Sequence, residues 1–135
     1  MDNDEGEDVL KYDKGNLREL KELLYNSYVH DAKFKNIQYQ CGEDNIKIEL
    51  INPIFNVKII LIFHGIEIAF AIKGDKYGSS ETIISLTVEE DFSYLKTYLP
   101  KNSECMESCL YLLFQMFSGG ELHIVSKGVD IEIII

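Results

Sequence analysis

Residues 54–72, "IFNVKIILIFHGIEIAFAI", decide the fold. Two runs of β-branched and aromatic residues flank His64-Gly65, and such runs fit a pleated, covered surface better than a helix. The pattern predicts two central strands, 54–63 and 66–72, separated at the His-Gly pair. The most apolar part, 59–72, carries a histidine, a glycine and a glutamate and lies between Lys58 and Lys73. It is too short and too interrupted for a membrane-spanning helix, so a soluble β-rich domain is the starting expectation.

Upstream, Asn52-Pro53 punctuates a connection, because proline cannot donate to a ladder and holds its predecessor extended. Before it, Ile46, Ile48 and Leu50 alternate with Lys47 and Glu49, and "CGEDN" (41–45) turns the chain back on a preceding strand. In that strand Ala32 and Phe34, then Ile37 and Tyr39, alternate with polar residues, and the half-shift at Asn36 predicts a bulge. "GNLRELKELLYNSY" (15–28) spaces Leu17, Leu20, Leu24 and Tyr28 for one amphipathic helix, with Asn16 as N-cap and Glu19 as its capping-box partner. Residues 1–13 are dense in like charge and read as an acidic flexible tail, leaving 14–135 as a single globular domain.

Downstream, "KGDKYGSSE" (73–81) is a polar loop and "TIISLTV" (82–88) a strand. "EEDFSYLKTYLPK" (89–101) starts acidic and ends at Pro100, which predicts either a second short helix or a lid-like turn. Ser118-Gly119-Gly120 joins two strands as a hairpin, and Lys127-Gly128 reads as a turn into the last strand, "VDIEIII" (129–135). The expected fold is α+β and β-rich: a mostly antiparallel sheet of about seven strands with an N-terminal helix packed on one face or edge. The apolar C-terminal strand needs a sheet neighbour or a partner, and a homo-oligomer formed through it is one expectation.

The 135 residues carry a formal charge of −10, and five acids in the first eight positions account for half of it. An acidic body without a Lys/Arg stripe repels phosphate backbones, which argues against nucleic-acid binding, and the same field speeds encounter with a basic protein. The acidic N-terminus is unlike an export signal, and Cys41, Cys105 and Cys109 lack paired-knuckle spacing. A cytoplasmic protein without structural disulfides or a cofactor, and without membrane association, is expected.

Chemistry concentrates at His30-Asp31, where the helical pattern gives way to a strand. Imidazole and carboxylate suit a metal, and the sharpest enzymatic alternative is a metal-dependent site joining His30, Asp31 and His123. Against it, the three histidines, His64 included, sit in separate elements with no pre-placed ligand pair, and hydrolases named for a His-Asp doublet need a helical scaffold. The doublet is read instead as structural: Asp31 accepting from backbone amides and His30 capping carbonyls as the chain enters its sheet. The serines and cysteines lack a nucleophile context, and Glu89, Glu90 and Asp91 fit a helix start better than a cation site.

The order "YVHDAKFKNIQYQCGEDNIKIEL" (28–50) resembles a pattern in small bacterial β-rich proteins with a His-Asp-Ala/Ser strand-entrance motif, the immunity-like proteins of polymorphic toxin systems. "LFQMFSGGELHIVSKGVDIEI" (113–133) is similar to the closing hairpins of such domains. The resemblance implies a non-catalytic protein-binding module that neutralises a cognate toxin, with a basic toxin domain as partner. His30 and Asp31 would then be a fold signature, and Asp75, Lys76, Tyr77, Glu89, Glu90 and Asp91 the partner-binding loop residues.

Overall fold

A computed structural model describes residues 9–25, 28–73, 82–95, 97 and 105–135. Along the chain come β1 (Val9–Asp13), α1 (Leu17–Tyr25), β2 (Lys33–Gln40), β3 (Asn45–Asn52), β4 (Val57–Ile72), β5 (Ile83–Glu89), α2 (Cys105–Ser108), β6 (Leu110–Met116) and β7 (Glu121–Ile134). The seven strands form one antiparallel sheet in the order β2-β3-β4-β7-β6-β5, with β1 also on β7. The fold is β-rich, as the alternation predicts. Among the described residues no helix is long and apolar enough to cross a membrane.

β4 and β7 are the spine. They pair from Lys58↔Ile134 to Ile72↔Glu121, so β4 holds one whole edge of β7. The other edge is shared: β6 takes residues 121–126 and β1 takes 128–132. At the sheet's outer margins, Asp31 N donates to Ile83 O at 2.9 Å and Ile83 N to Ala32 O at 2.8 Å, beside a Lys33–Thr82 bridge. These bonds join the entrance of β2 to the start of β5 and curl the sheet around its inner face. Ile48, Leu50, Ile59, Leu61, Phe63, Leu112 and Phe114 are buried there, at every second position of their strands. α1 contacts β5 and β1, and it inserts Leu20 with Leu17, Leu23 and Leu24 against the same core. Burying a leucine such as Leu20 contributes about 2 kcal/mol. A smaller cluster, Phe92, Leu95, Cys109, Tyr111 and Val125, is backed by Ile68, Phe70 and Leu113.

Several expectations need correction. Residues 9–13 are not tail: they pair with β7, so the sheet includes Val9–Asp13, upstream of Lys14. The charge density of residues 1–8 hid a strand of two apolar and one aromatic residue. Asp13, not Asn16, is the N-cap of the single 3-10 turn that leads into α1. Its carboxylate accepts from Gly15 N at 2.8 Å while Asn16 Oδ1 accepts from Asp13 N at 2.7 Å. After β5 the described residues supply a 3-10 turn, Ser93–Leu95, and the short α2 lies at Cys105–Ser108, beyond the segment for which a second helix or a turn is expected.

His64-Gly65 and Lys127-Gly128 are not turns. His64 pairs with Gly128 within the β4–β7 ladder, and a register shift between Ile66 and Ile68 places a bulge beside them. Gly65 supplies the left-handed conformation of this bend, with φ +64°. Gly128 serves close approach, because a Cβ there would lie 3.1 Å from the Tyr12 carbonyl of β1. Each pair of expected strands is therefore one long strand, and the agreement in strand number conceals these mergers and the unexpected β1. The backbone of Val129 to Glu132 is paired on both sides, while among the described residues Ile133 and Ile134 pair with β4 alone. The predicted β2 bulge is present, between Phe34 and Asn36.

Gly65→Ala should destabilise the fold by about 1–3 kcal/mol in urea unfolding, and Gly128→Ala should also destabilise it. Gly42→Ala, where a Cβ meets nothing within 4 Å, should be nearly neutral. Removing the chain through Asp13 bares the β7 edge. It should lower the thermal midpoint by roughly 5 °C or more and cause concentration-dependent association in light scattering.

Candidate functional site

Asn52, wholly buried, is the staple from which the site is built. Its Oδ1 accepts from Ile54 N at 2.9 Å and Phe55 N at 3.3 Å, shaping the β3–β4 turn, and its Nδ2 donates to Tyr28 O at 2.8 Å and His30 O at 3.2 Å. One side chain thus ties the hairpin tip to the chain that leaves α1. Three residues on, Asp31 adopts φ 73°, a left-handed conformation that aspartate tolerates, and the chain turns into β2.

The turn leaves an open groove between α1 and β5. It encloses about 690 Å³ and is lined by Leu24, Tyr25, Val29, His30, Ile84 and Leu86, together with Lys21 and the rest of β5 to Val88. The lining is mostly apolar. Tyr25 is 89% exposed at its rim, and two further aromatics extend the surface. Phe55, 60% exposed, packs on Tyr28 with ring centroids 5.4 Å apart, and Phe117, 54% exposed, meets His30 edge-on at 6.4 Å. Aromatic side chains offer large contact area at low entropic cost, and contiguous exposed ones mark interaction surfaces.

His30-Asp31 stands just before β2, where the chain enters the sheet. His30 Nδ1 lies 3.0 Å from Asp31 Oδ2, and both the imidazole and the carboxylate reach solvent at the groove's end. It is the Asp31 backbone N–H that donates, to Ile83, rather than its carboxylate that accepts from amides. His123 takes other partners, and among the described residues no three His, Cys, Asp or Glu side chains gather as metal ligands, so the His30/Asp31/His123 triad does not assemble. Asp75, Lys76 and Tyr77 lie outside the described residues. Glu89, Glu90 and Asp91 are engaged locally. Glu89 accepts from Thr87 Oγ1 at 2.6 Å, Asp91 accepts from Ser93 N at 2.9 Å, and Glu90 pairs with Lys21. The hydrogen bond from Lys21 holds the Glu90 carboxyl below the usual range.

A second polar constellation has no signal in the linear order. His123, 2% exposed, lies between Phe70, stacked at 4.5 Å, and Tyr94, stacked at 5.5 Å. Its Nδ1 is 2.6 Å from the Tyr111 hydroxyl and its Nε2 is 2.7 Å from Glu121 Oε1. A neutral imidazole accepting from Tyr111 and donating to Glu121 satisfies all three groups. Glu121 and His123 share a face by the two-residue period of β7, but Tyr111 joins them only through the β6–β7 register, in which His123 opposes Leu113. The chain resembles a nucleophile–imidazole–carboxylate relay. Burial, reinforced by Glu89 and Glu121, pushes the Tyr111 phenol up to about 12, so at neutral pH it is a hydrogen-bond donor and a poor nucleophile. Tyr111 and His123 are 3% and 2% exposed, and Tyr111 ties the network into the smaller core cluster.

Because its folded pKa exceeds the unfolded value near 10, Tyr111 contributes stability below pH 10 that is lost as pH rises toward 12. Tyr111→Phe should flatten part of the fall in stability over that window. At neutral pH it should cost about 1–3 kcal/mol by leaving His123 Nδ1 without its donor, both effects being read from urea unfolding at fixed pH.

In comparisons with known proteins, no family model matches the chain, and no curated protein or solved structure matches it significantly.

Proposed function

We propose that this protein is a non-catalytic protein-binding module that docks a basic partner domain, in the manner of an immunity protein against its toxin. The observation that carries the reading is the open apolar groove between α1 and β5, continuous with exposed Tyr25, His30 and Phe117. Apolar surface flanked by aromatics gains free energy when a partner excludes water from it, and tyrosine and phenylalanine are favoured as anchors of such contacts. The net charge of −10 steers a basic domain toward the surface and disfavours an acidic one. The docking surface is thus the α1–β5 groove, rather than the acidic loops that the resemblance points to. The Glu89–Asp91 carboxylates, held by Thr87, Lys21 and Ser93, adjust the electrostatic rim.

The test is recovery of a stoichiometric partner from cells that make both proteins, identified by mass spectrometry, followed by titration of the purified pair. Tyr25→Ala and Ile84→Lys should each weaken binding by about tenfold or more, the scale of losing an interface anchor. Glu90→Gln should chiefly slow association and reduce its salt dependence. Full affinity in the Tyr25 and Ile84 variants, with loss in the acidic ones, would move the site to the loops. A partner that is not basic would sink the electrostatic part.

A further inference from the structure

We infer that the groove is a strand-addition site: an extended segment of the basic partner pairs with the open edge of β5 between Ile84 and Val88. The inference rests on the groove being a protein contact and specifies how the contact is made.

β5 is paired with β6 on one edge, with a register shift at Ile84, whereas on the other edge the ladder with the β2 entrance ends at Ile83. There Asp31 and Ala32 use the outward carbonyl and amide of Ile83, and the left-handed turn at Asp31 carries the chain away. Past that point, among the described residues, α1 is what faces the edge, and side chains of Lys21, Leu24 and Tyr25 form the opposite wall. A helix cannot pair with a strand edge, so the outward amides and carbonyls of Ile84 to Val88 face the groove without a ladder. A bare edge beside apolar side chains is a template for another strand. Five residues span about 13 Å at 3.3 Å per step, which suits a short extended peptide.

The charges at the two ends select the occupant. Asp31 stands where the existing ladder stops, and Glu89 and Glu90 stand at the far end of β5. Two copies pairing antiparallel through this edge would set Asp31 of one against Glu89 and Glu90 of the other, in chains that each carry −10. Like charge therefore disfavours a second copy. An apolar segment with Lys or Arg at both ends meets carboxylates at each end of the groove, and its alternate side chains can contact Leu24 and Leu86.

The experiment is amide hydrogen exchange by NMR on the full-length protein at low salt, with a capped heptapeptide, Lys-Val-Thr-Val-Thr-Val-Lys, as probe. Alternate amides within Ile84 to Val88 should gain at least tenfold protection, an effect absent with the peptide ending in glutamates and lost in Ile84→Lys. Peptide-induced shifts at Leu24 and Tyr25 without protection on β5 would overturn strand addition yet leave the groove as a contact site. No response anywhere in the groove would overturn the strand inference, while the reading of the groove as a contact site would still stand or fall on the partner titration with Tyr25→Ala. Equal protection by the glutamate peptide would overturn the basic occupant. Protection that grows with protein concentration alone would assign the edge to a second copy.

Discussion

The β4–β7 ladder is the constraint on which the rest of the structure depends. Strands of 16 and 14 residues are too long to stay flat, because each pair of neighbouring strands twists and an accumulated twist must bend or break. Here the bend is absorbed by Gly65 and the adjacent bulge, opposite Lys127 and Gly128. The same Gly128 lets β1 approach closely enough to pair. With β4 covering one whole edge of β7, and β6 and β1 dividing the other, β7 is paired on both sides through most of its length. Among the described residues, outer edges remain at β1, along 66–72 of β4, at β2 and at β5, and at β2 and β5 the sheet meets itself for a few bonds and then diverges.

The groove follows from that partial closure. Had the chain continued straight upstream of Ala32, it would have run beside β5 and completed the ladder. It turns out at Asp31 and becomes a helix, which covers the core with leucines but offers no backbone groups to a strand. Asn52 then decides how firmly the departing chain is held, since it joins Tyr28 and His30 to the β3–β4 turn. A single buried amide making four hydrogen bonds rigidifies a rim that would otherwise be a surface loop. A pre-formed rim matters for binding because ordering costs have already been met in folding.

The His123 network is instructive in the opposite sense. Tyrosine, histidine and glutamate within hydrogen-bond reach make the arrangement with the most catalytic appearance in the molecule, yet the aromatic stack and burial shield it. A group held protonated by desolvation resists the ionisation that a nucleophile needs. The exposed His30-Asp31 pair has the opposite problem: it reaches solvent, but among the described residues no third titratable group joins it. Chemistry and access are thus separated in space, whereas apolar surface, an open strand edge and access coincide at the groove.

Much of the fold is legible in the linear chain because alternation of polar and apolar residues is a local property. The strand character of 46–50, 57–63 and 110–114, the bulge near Asn36 and the Ser118–Gly120 hairpin all follow from spacing and turn chemistry alone. The amphipathic helix follows too, since Leu17, Leu20 and Leu24 mark one face whatever they pack on. What glycine does beside a strand is not local. Gly65 and Gly128 look like turns until the ladder places them opposite each other's strands, where they permit a bend and a close approach. Likewise, Val9–Asp13 becomes a strand only because β7 offers an edge, and Tyr111 finds His123 only through register. The groove is the most tertiary feature of all: the turn at Asp31 ends the contact between the β2 entrance and β5 at Ile83 and leaves the rest of the β5 edge facing α1, and no residue in 84–88 carries a mark of that in its own identity.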